Sequence, residues 1–329
     1  MPETPGEFEL IDRLFAPLTA GAPNAYGLTD DAAVISPPEG HELVVTTDTL
    51  VAGVHFLAND PPASVAAKLL AVNFSDLAAM GAVPQAFTLA AAWPRNIATD
   101  WIAAFAAGLA EHQNAAGAHL IGGDTVATPG PMTLTATAFG SVEMGCAIRR
   151  NGARPGDLLY VSGTIGDAAL GLKILTGEIS IDVDEADQTF LIDRYRQPTA
   201  RVELGQAIVP LASAALDISD GLIADVGHIA AQSNVMITID ASCIPMSSAA
   251  HRLIQTSPEC AEIPFNGGDD YELAFTVPSN ARRAIEAIDH LRLTEVGKIL
   301  AVEADEPTVV LLDQSGNPVE VGRGGYRHF

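Results

Sequence analysis

An aspartate inside an apolar helical stretch constrains this chain more than any other feature. Residues Ala63–Met80 carry apolar side chains at helical spacing and stop at Gly81, yet Asn73-Phe74-Ser75-Asp76-Leu77-Ala78-Ala79-Met80 places Asp76 among them. A carboxylate on such a face is costly unless a cation or hydrogen-bond donors meet it. The problem recurs along the chain. Asp48 ends the β-branched run His41–Thr47, Asp31 lies in a turn, Asp124 follows Ile121-Gly122-Gly123, and Asp217 and Asp220 flank Ile218-Ser219 ahead of Gly221. The only lysines are Lys68, Lys173 and Lys298, too few to neutralise these sites. Taken singly, each aspartate also reads as a cap or turn residue, and Asp220 before a helix is the clearest capping candidate. Taken together, they suit Mg²⁺, which takes oxygen ligands and binds substrate phosphates.

The charge balance excludes several classes. The 329 residues hold 17 Lys+Arg against 41 Asp+Glu, a formal charge of −24. Nucleic-acid binding and attachment to anionic membranes both need clustered basic residues. No lysine precedes Ser or Thr, which excludes a Walker A loop. The acidic N-terminus shows no secretory signal. The uncharged stretches Leu77–Pro94 and Thr125–Val142 are too broken by Gly, Pro and Thr to read as membrane spans. Cys146, Cys243 and Cys260 are odd in number and widely spaced, without the pattern of a disulfide framework or zinc site. These features describe a cytoplasmic protein. The eight histidines form no His-Glu-x-x-His pair and Gly-x-Ser-x-Gly is absent, so no general base or nucleophile is assigned.

The pattern is that of an α+β protein of two domains, each a mixed or antiparallel sheet covered by helices. Strands are expected at 41–47, 131–142, 158–162, 235–240, 272–277 and 308–313, and helices at 63–80, 99–116 and 220–232. Thr99 is the expected cap of the second helix and Gly117 its stop. The loop Arg149–Asp157, rich in Arg, Gly and Pro, marks the boundary between domains at 1–148 and 149–329. Gly122-Gly123-Asp124-Thr125 and Gly267-Gly268-Asp269-Asp270 read as turns whose backbone N–H groups are able to approach an anion.

Read in order, the blocks resemble the thiamine-monophosphate kinase family. They are Gly6–Ile11, Thr29-Asp30-Asp31-Ala32-Ala33, Thr46–Phe56, Ala71–Gly81, Gly122–Thr125, Asp217–Leu222, Gly267–Leu273 and Gly325–Phe329. The resemblance implies ATP-dependent phosphorylation of thiamine monophosphate to thiamine diphosphate. It also implies the two-domain fold shared with aminoimidazole ribonucleotide synthetase and selenophosphate synthetase, and a homodimer formed through the N-terminal domains. Carried over by motif, Asp31, Thr46, Thr47, Asp48, Asp76, Asp124, Asp217 and Asp220 hold several Mg²⁺ ions. Gly123, Asp124, Arg150 and Ser219 contact ATP, and His55, Asp269 and Tyr326 line the thiamine phosphate pocket. Three positions depart from the family pattern: Thr29 replaces a Gly, Asp269 replaces a Glu, and 111–120 lacks an aromatic to rest against adenine. A related synthetase and a non-catalytic nucleotide- or cation-binding protein are the alternatives.

Overall fold

The computed structural model describes residues 6–179, 183–302 and 308–319. The chain divides into two compact units, 1–77 with 82–145, and 78–81 with 146–329. The switch at Gly145/Cys146 falls three residues before the boundary expected from the Arg/Gly/Pro loop.

The first unit contains α1 (Glu7–Leu10), short π- and 3₁₀-turns over 11–28, β1 (His41–Val51), α2 (Pro62–Ala79), β2 (Val83–Pro94), α3 (Thr99–Ala116), β3 (His119–Thr128) and β4 (Thr133–Glu143). Its sheet has the order β1-β4-β2-β3. β4 pairs antiparallel with β1 and β2, while β3 returns parallel to β2 after the α3 crossover. Aromatic contacts seat both long helices on one face. Phe74 of α2 meets Phe87 edge-on, and Trp93 meets Trp101 and Phe105 of α3. The opposite face carries Thr47, Thr49, Thr135 and Thr137, tied by side-chain hydrogen bonds, beside exposed Leu43 and Val45.

The second unit contains β5 (Asp157–Ser162), α4 (Asp167–Thr176), α5 (Glu185–Arg196), α6 (Val202–Ile208), β6 (Ala214–Asp217), α7 (Leu222–Ser233), β7 (Met236–Asp240), α8 (Ser248–Thr256), α9 (Ile263–Asn266), β8 (Leu273–Pro278), α10 (Arg282–Glu286), β9 (Leu293–Leu300) and β10 (Thr308–Leu312). The sheet order is β10-β7-β9-β5-β8-β6, mixed because only β10 and β7 run parallel. Both faces are covered at β5. Leu159 and Val161 pack with Leu222, Val226 and Ile229 of α7, whereas Leu158 and Tyr160 pack with Leu204 and Ile208 of α6. Every residue of β5 is therefore buried, which is why this strand shows no polar alternation.

The α+β class holds, and each of the expected elements is present within a few residues, β1 running on through Asp48 to Val51. Three local expectations change. Ala98, not Thr99, occupies the cap position of α3 and offers no side-chain bond, while Gly117 does close the helix in the left-handed conformation. Gly122–Thr125 is not a turn but part of β3. Asp220 does not cap α7: Gly221 holds that position, and a different aspartate satisfies the exposed N–H groups.

Gly123 is required by the approach of β3 to β2. A Cβ there would lie 1.9 Å from the Leu89 carbonyl oxygen. Gly123→Ala is expected to force the strands apart and lower stability by about 1–3 kcal/mol, read as an earlier urea midpoint. An unchanged midpoint would show that the strands have slack.

Candidate active site

In the first unit, alternation along β1 sends Thr46 and Asp48 toward α2 and Thr47 to the opposite face. Two α2 residues one turn apart receive them. The Thr46 hydroxyl donates to Asp76 Oδ2, and the Asp48 N–H donates to Asn73 Oδ1 at 3.0 Å. Asn73 is fully buried and donates to the Leu69 carbonyl, so its amide fixes the distance between strand and helix. Burial, and secondarily the Asp76 charge, push the half-buried Asp48 carboxyl up to about 6. Thr47 lies outside this group: its hydroxyl donates to the Ala136 carbonyl and accepts from Thr137.

A second group lines a cavity of about 140 Å³. Phe15, Leu28, Leu89 and Leu120 supply apolar wall, while Asp30, Asp31, Gly123 and Asp124 supply polar lining. The aromatic residue in the lining is Phe15, from the N-terminal turns rather than from the segment before Gly122. Asp124 accepts from its neighbour Thr125 N–H, whose hydroxyl is held by Trp93 Nε1 at 2.9 Å. His55 sits on the turn after β1, its Nδ1 accepting from the Val51 N–H.

The second unit holds the rest. Asp217 ends β6, and Ser219 and Asp220 follow on the loop into α7. The Asp269 N–H donates to the Ser219 carbonyl at 2.8 Å, so the loops 217–221 and 267–272 are bonded side by side. Asp269 and Tyr271 take left-handed backbone angles, φ 70° and 52°, on either side of a fully buried Asp270. Asp270 accepts from the N–H groups of Gly166 and Ala168, and burial pushes its carboxyl up to about 8. Glu272 is completely buried but met by Arg194, by Nε and Nη2 of Arg201 and by the Ser162 hydroxyl. Arg150 is exposed, with its carbonyl held by the Ser233 hydroxyl. Tyr326 lies outside the described residues.

The eight ligand candidates thus form three groups, Thr46–Asp48–Asp76, Asp31–Asp124 and Asp217–Asp220, with Thr47 turned away from the first. Among the described residues, no three His, Cys, Asp or Glu side chains form a preassembled metal site. The first group still fits Mg²⁺. Its donors are all oxygen, two are carboxylates close enough to raise one pKa, and Mg²⁺ completes its shell with water and phosphate oxygens. Asn73, Asp225, Asp270 and Glu272 are the supporting residues that spacing missed. Asn73, Asp270 and Glu272 stood inside recognised blocks, and Asp225 stood one helical turn beyond Gly221.

This two-unit α+β chain belongs to the AIR synthase related proteins. The description "AIR synthase related protein, N-terminal domain" matches residues 29–142, and "AIR synthase related protein, C-terminal domain" matches 154–310. Within that class the chain belongs to the thiamine-monophosphate kinase family. It is 42% identical to the thiamine-monophosphate kinase of Escherichia coli K12, over 98% of both chains, and 34% identical to that of Bacillus subtilis, over 98% of this chain and 99% of the other. The crystal structure of thiamine-monophosphate kinase from Stenotrophomonas maltophilia superposes with a TM-score of 0.83 at 41% identity, covering 95% of this chain and 98% of that one. AaThiL complexed with AMPPCP and TMP superposes at 0.78 and 30% identity, covering 98% of this chain and 97% of that one.

The crowding at Asp48 has a sign. Its folded carboxyl is pushed up to about 6, above the ordinary aspartate value, so the folded state binds the proton more tightly. The stability of metal-free protein therefore falls as pH rises from about 4 to 6, and the penalty is complete above that. Asp48→Asn removes it. In EDTA at pH 7.5 the variant is expected to gain on the order of 2 kcal/mol, a rise of a few degrees in thermal midpoint, with no gain at pH 4. Equal midpoints at pH 7.5 would refute the crowding.

Proposed function

We propose that this chain transfers the γ-phosphoryl group of ATP to thiamine monophosphate, forming thiamine diphosphate. The observation that carries the reading is the cavity in the first unit, where an apolar wall suited to a heteroaromatic ring meets Gly123, Asp124 and Asp31. Membership of the kinase family, and a relative complexed with AMPPCP and TMP, support the substrate pair.

Two phosphate-bearing substrates meeting at an acidic surface repel one another and the protein. Asp48, Asp76 and the Thr46 hydroxyl would hold Mg²⁺ in one group, and Asp31, Asp124, Asp217 and Asp220 would contribute to further ions. The Thr47 hydroxyl faces β4, so this residue would take part through a route other than the Thr46–Asp48–Asp76 group. When bound, Mg²⁺ supplies the positive charge that neutralises and orients the phosphates. Asn73 keeps β1 at a fixed distance from α2, so Asp48 and Asp76 need no reorganisation. Gly123 lets substrate approach the β3 backbone, with Asp124 beside it. Ser219 and the exposed Arg150 contact the polyphosphate, and the guanidinium offers a bidentate donor. His55, Asp269 and Tyr326 orient thiamine monophosphate, and Asp269 reaches one methylene less far than a glutamate would. The acceptor phosphate oxygen is already ionised at neutral pH. It attacks the γ-phosphorus in line, and no side chain is needed as general base.

The same reading includes a homodimer through the first unit, supported by the exposed face bearing Leu43 and Val45. It places the protein in the cytoplasm, supported by the unbridged thiols Cys243 and Cys260.

The test is ADP release with Mg²⁺ and thiamine monophosphate, with thiamine, or with neither. Release that depends on thiamine monophosphate is expected, and its absence overturns the reading. Asp124→Asn is expected to lower kcat by roughly 100-fold at an unchanged thermal midpoint. Full turnover at saturating Mg²⁺ would remove Asp124 from the site.

A further inference from the structure

The loop from β6 into α7 turns three consecutive backbone N–H groups toward one point. Such a nest at a helix entry ordinarily receives an anion, commonly a phosphate. Here it is filled from within the chain. A single oxygen, Asp225 Oδ2, accepts from Ser219 N–H at 3.0 Å, Asp220 N–H at 2.9 Å and Gly221 N–H at 3.0 Å. Asp225 lies in the first turn of α7 and is 4% exposed. Its own N–H donates to the Gly221 carbonyl, which closes the turn on itself. Gly221, at the cap position, has no side chain to contribute.

What the nest holds extends beyond its own loop. The Ser219 carbonyl accepts from Asp269 N–H, the Ile218 carbonyl accepts from Tyr271 N–H, and Ile218 N–H donates to the Glu272 carbonyl. Gly268 allows this contact, since a Cβ there would lie 2.3 Å from the Ser219 oxygen. The left-handed angles of Asp269 and Tyr271 are ones that non-glycine residues keep only where their surroundings impose them. The loop bearing Ser219 and Asp220 and the loop bearing Asp269 are thus one hydrogen-bonded platform.

We propose that Asp225 is a positioning residue for phosphoryl transfer: its carboxylate occupies the 219–221 nest in place of a phosphate and fixes the loop that carries Asp217, Ser219 and Asp220. ATP then meets this loop through side chains and bound ions, not through these three amides. The proposal rests on the kinase reading, and its direct test is independent of turnover.

Amide hydrogen exchange on the full chain reads the nest itself. Protection at 219–221 in the wild type is expected, with selective loss in Asp225→Ala while the amides of β5 and β8 keep theirs. In the kinase assay, Asp225→Ala is expected to lose about 100-fold in kcat, with a higher Mg²⁺ midpoint and a raised KM for thiamine monophosphate. Asp225→Asn keeps a carbonyl oxygen in the nest and is expected to stay within about tenfold of wild type. Fast exchange at 219–221 in the wild type overturns the proposal. So does a folded Asp225→Ala with unchanged kcat and Mg²⁺ midpoint, or an equal loss in the Ala and Asn variants. If Asp225→Ala does not fold, wild-type exchange and the Asn variant decide. If the wild type does not turn over thiamine monophosphate, the kinase reading fails and exchange alone judges the nest.

Discussion

Placing carboxylates away from bulk water is the constraint on which the rest of this structure depends. A chain with three lysines solves it in several ways, and the solution marks the role. Glu272 is met by two arginines and a hydroxyl inside the second unit. Asp225 takes three backbone donors, and Asp270 takes two and holds its proton to about pH 8. These carboxylates are satisfied by the protein and serve as structure. The Asp48–Asp76 pair is different, because the neighbour that most affects Asp48 is another carboxylate. Such a pair favours a cation from outside, which is what a phosphate-handling site requires.

The two sheets present their residues according to what covers them. The four-stranded sheet has helices on one face, so β1 alternates, sending Thr46 and Asp48 toward α2 and Thr47 to the open side. The six-stranded sheet is covered on both faces along β5, β8 and β6, which are buried almost throughout and offer few side chains to solvent, while β7 and β9 alternate. Its functional groups therefore sit on the loops after β6 and before β8. Those loops are tied together by backbone bonds between 218–219 and 269–272.

Much of this was legible in the residues. The helix at 99–116 and its Gly117 stop follow from periodicity and capping chemistry, and the strand at 133–143 follows from strict alternation. β2 was not legible, because Ala90 and Ala92 on its more open face blur, in the residue types, the alternation that its burial shows. β3 was hidden by its glycines, which read as a turn until Gly123 is seen against the Leu89 carbonyl. The substitution of Asp225 for Asp220 as the satisfier of the α7 entrance was equally hidden. A carboxylate four residues inside a helix reads as surface until the loop curls back over it.

The sequence by itself determined the class of chemistry. Too few lysines, carboxylates in apolar and glycine-flanked positions, and the absence of nucleophile motifs point to cation-assisted handling of phosphates as the expectation, and residue types do not change with folding. Only the tertiary structure decided how Asp225, Asp270 and Glu272 are satisfied. That depends on the donors each one meets, and those donors come from strands, loops and helices as much as a hundred residues away.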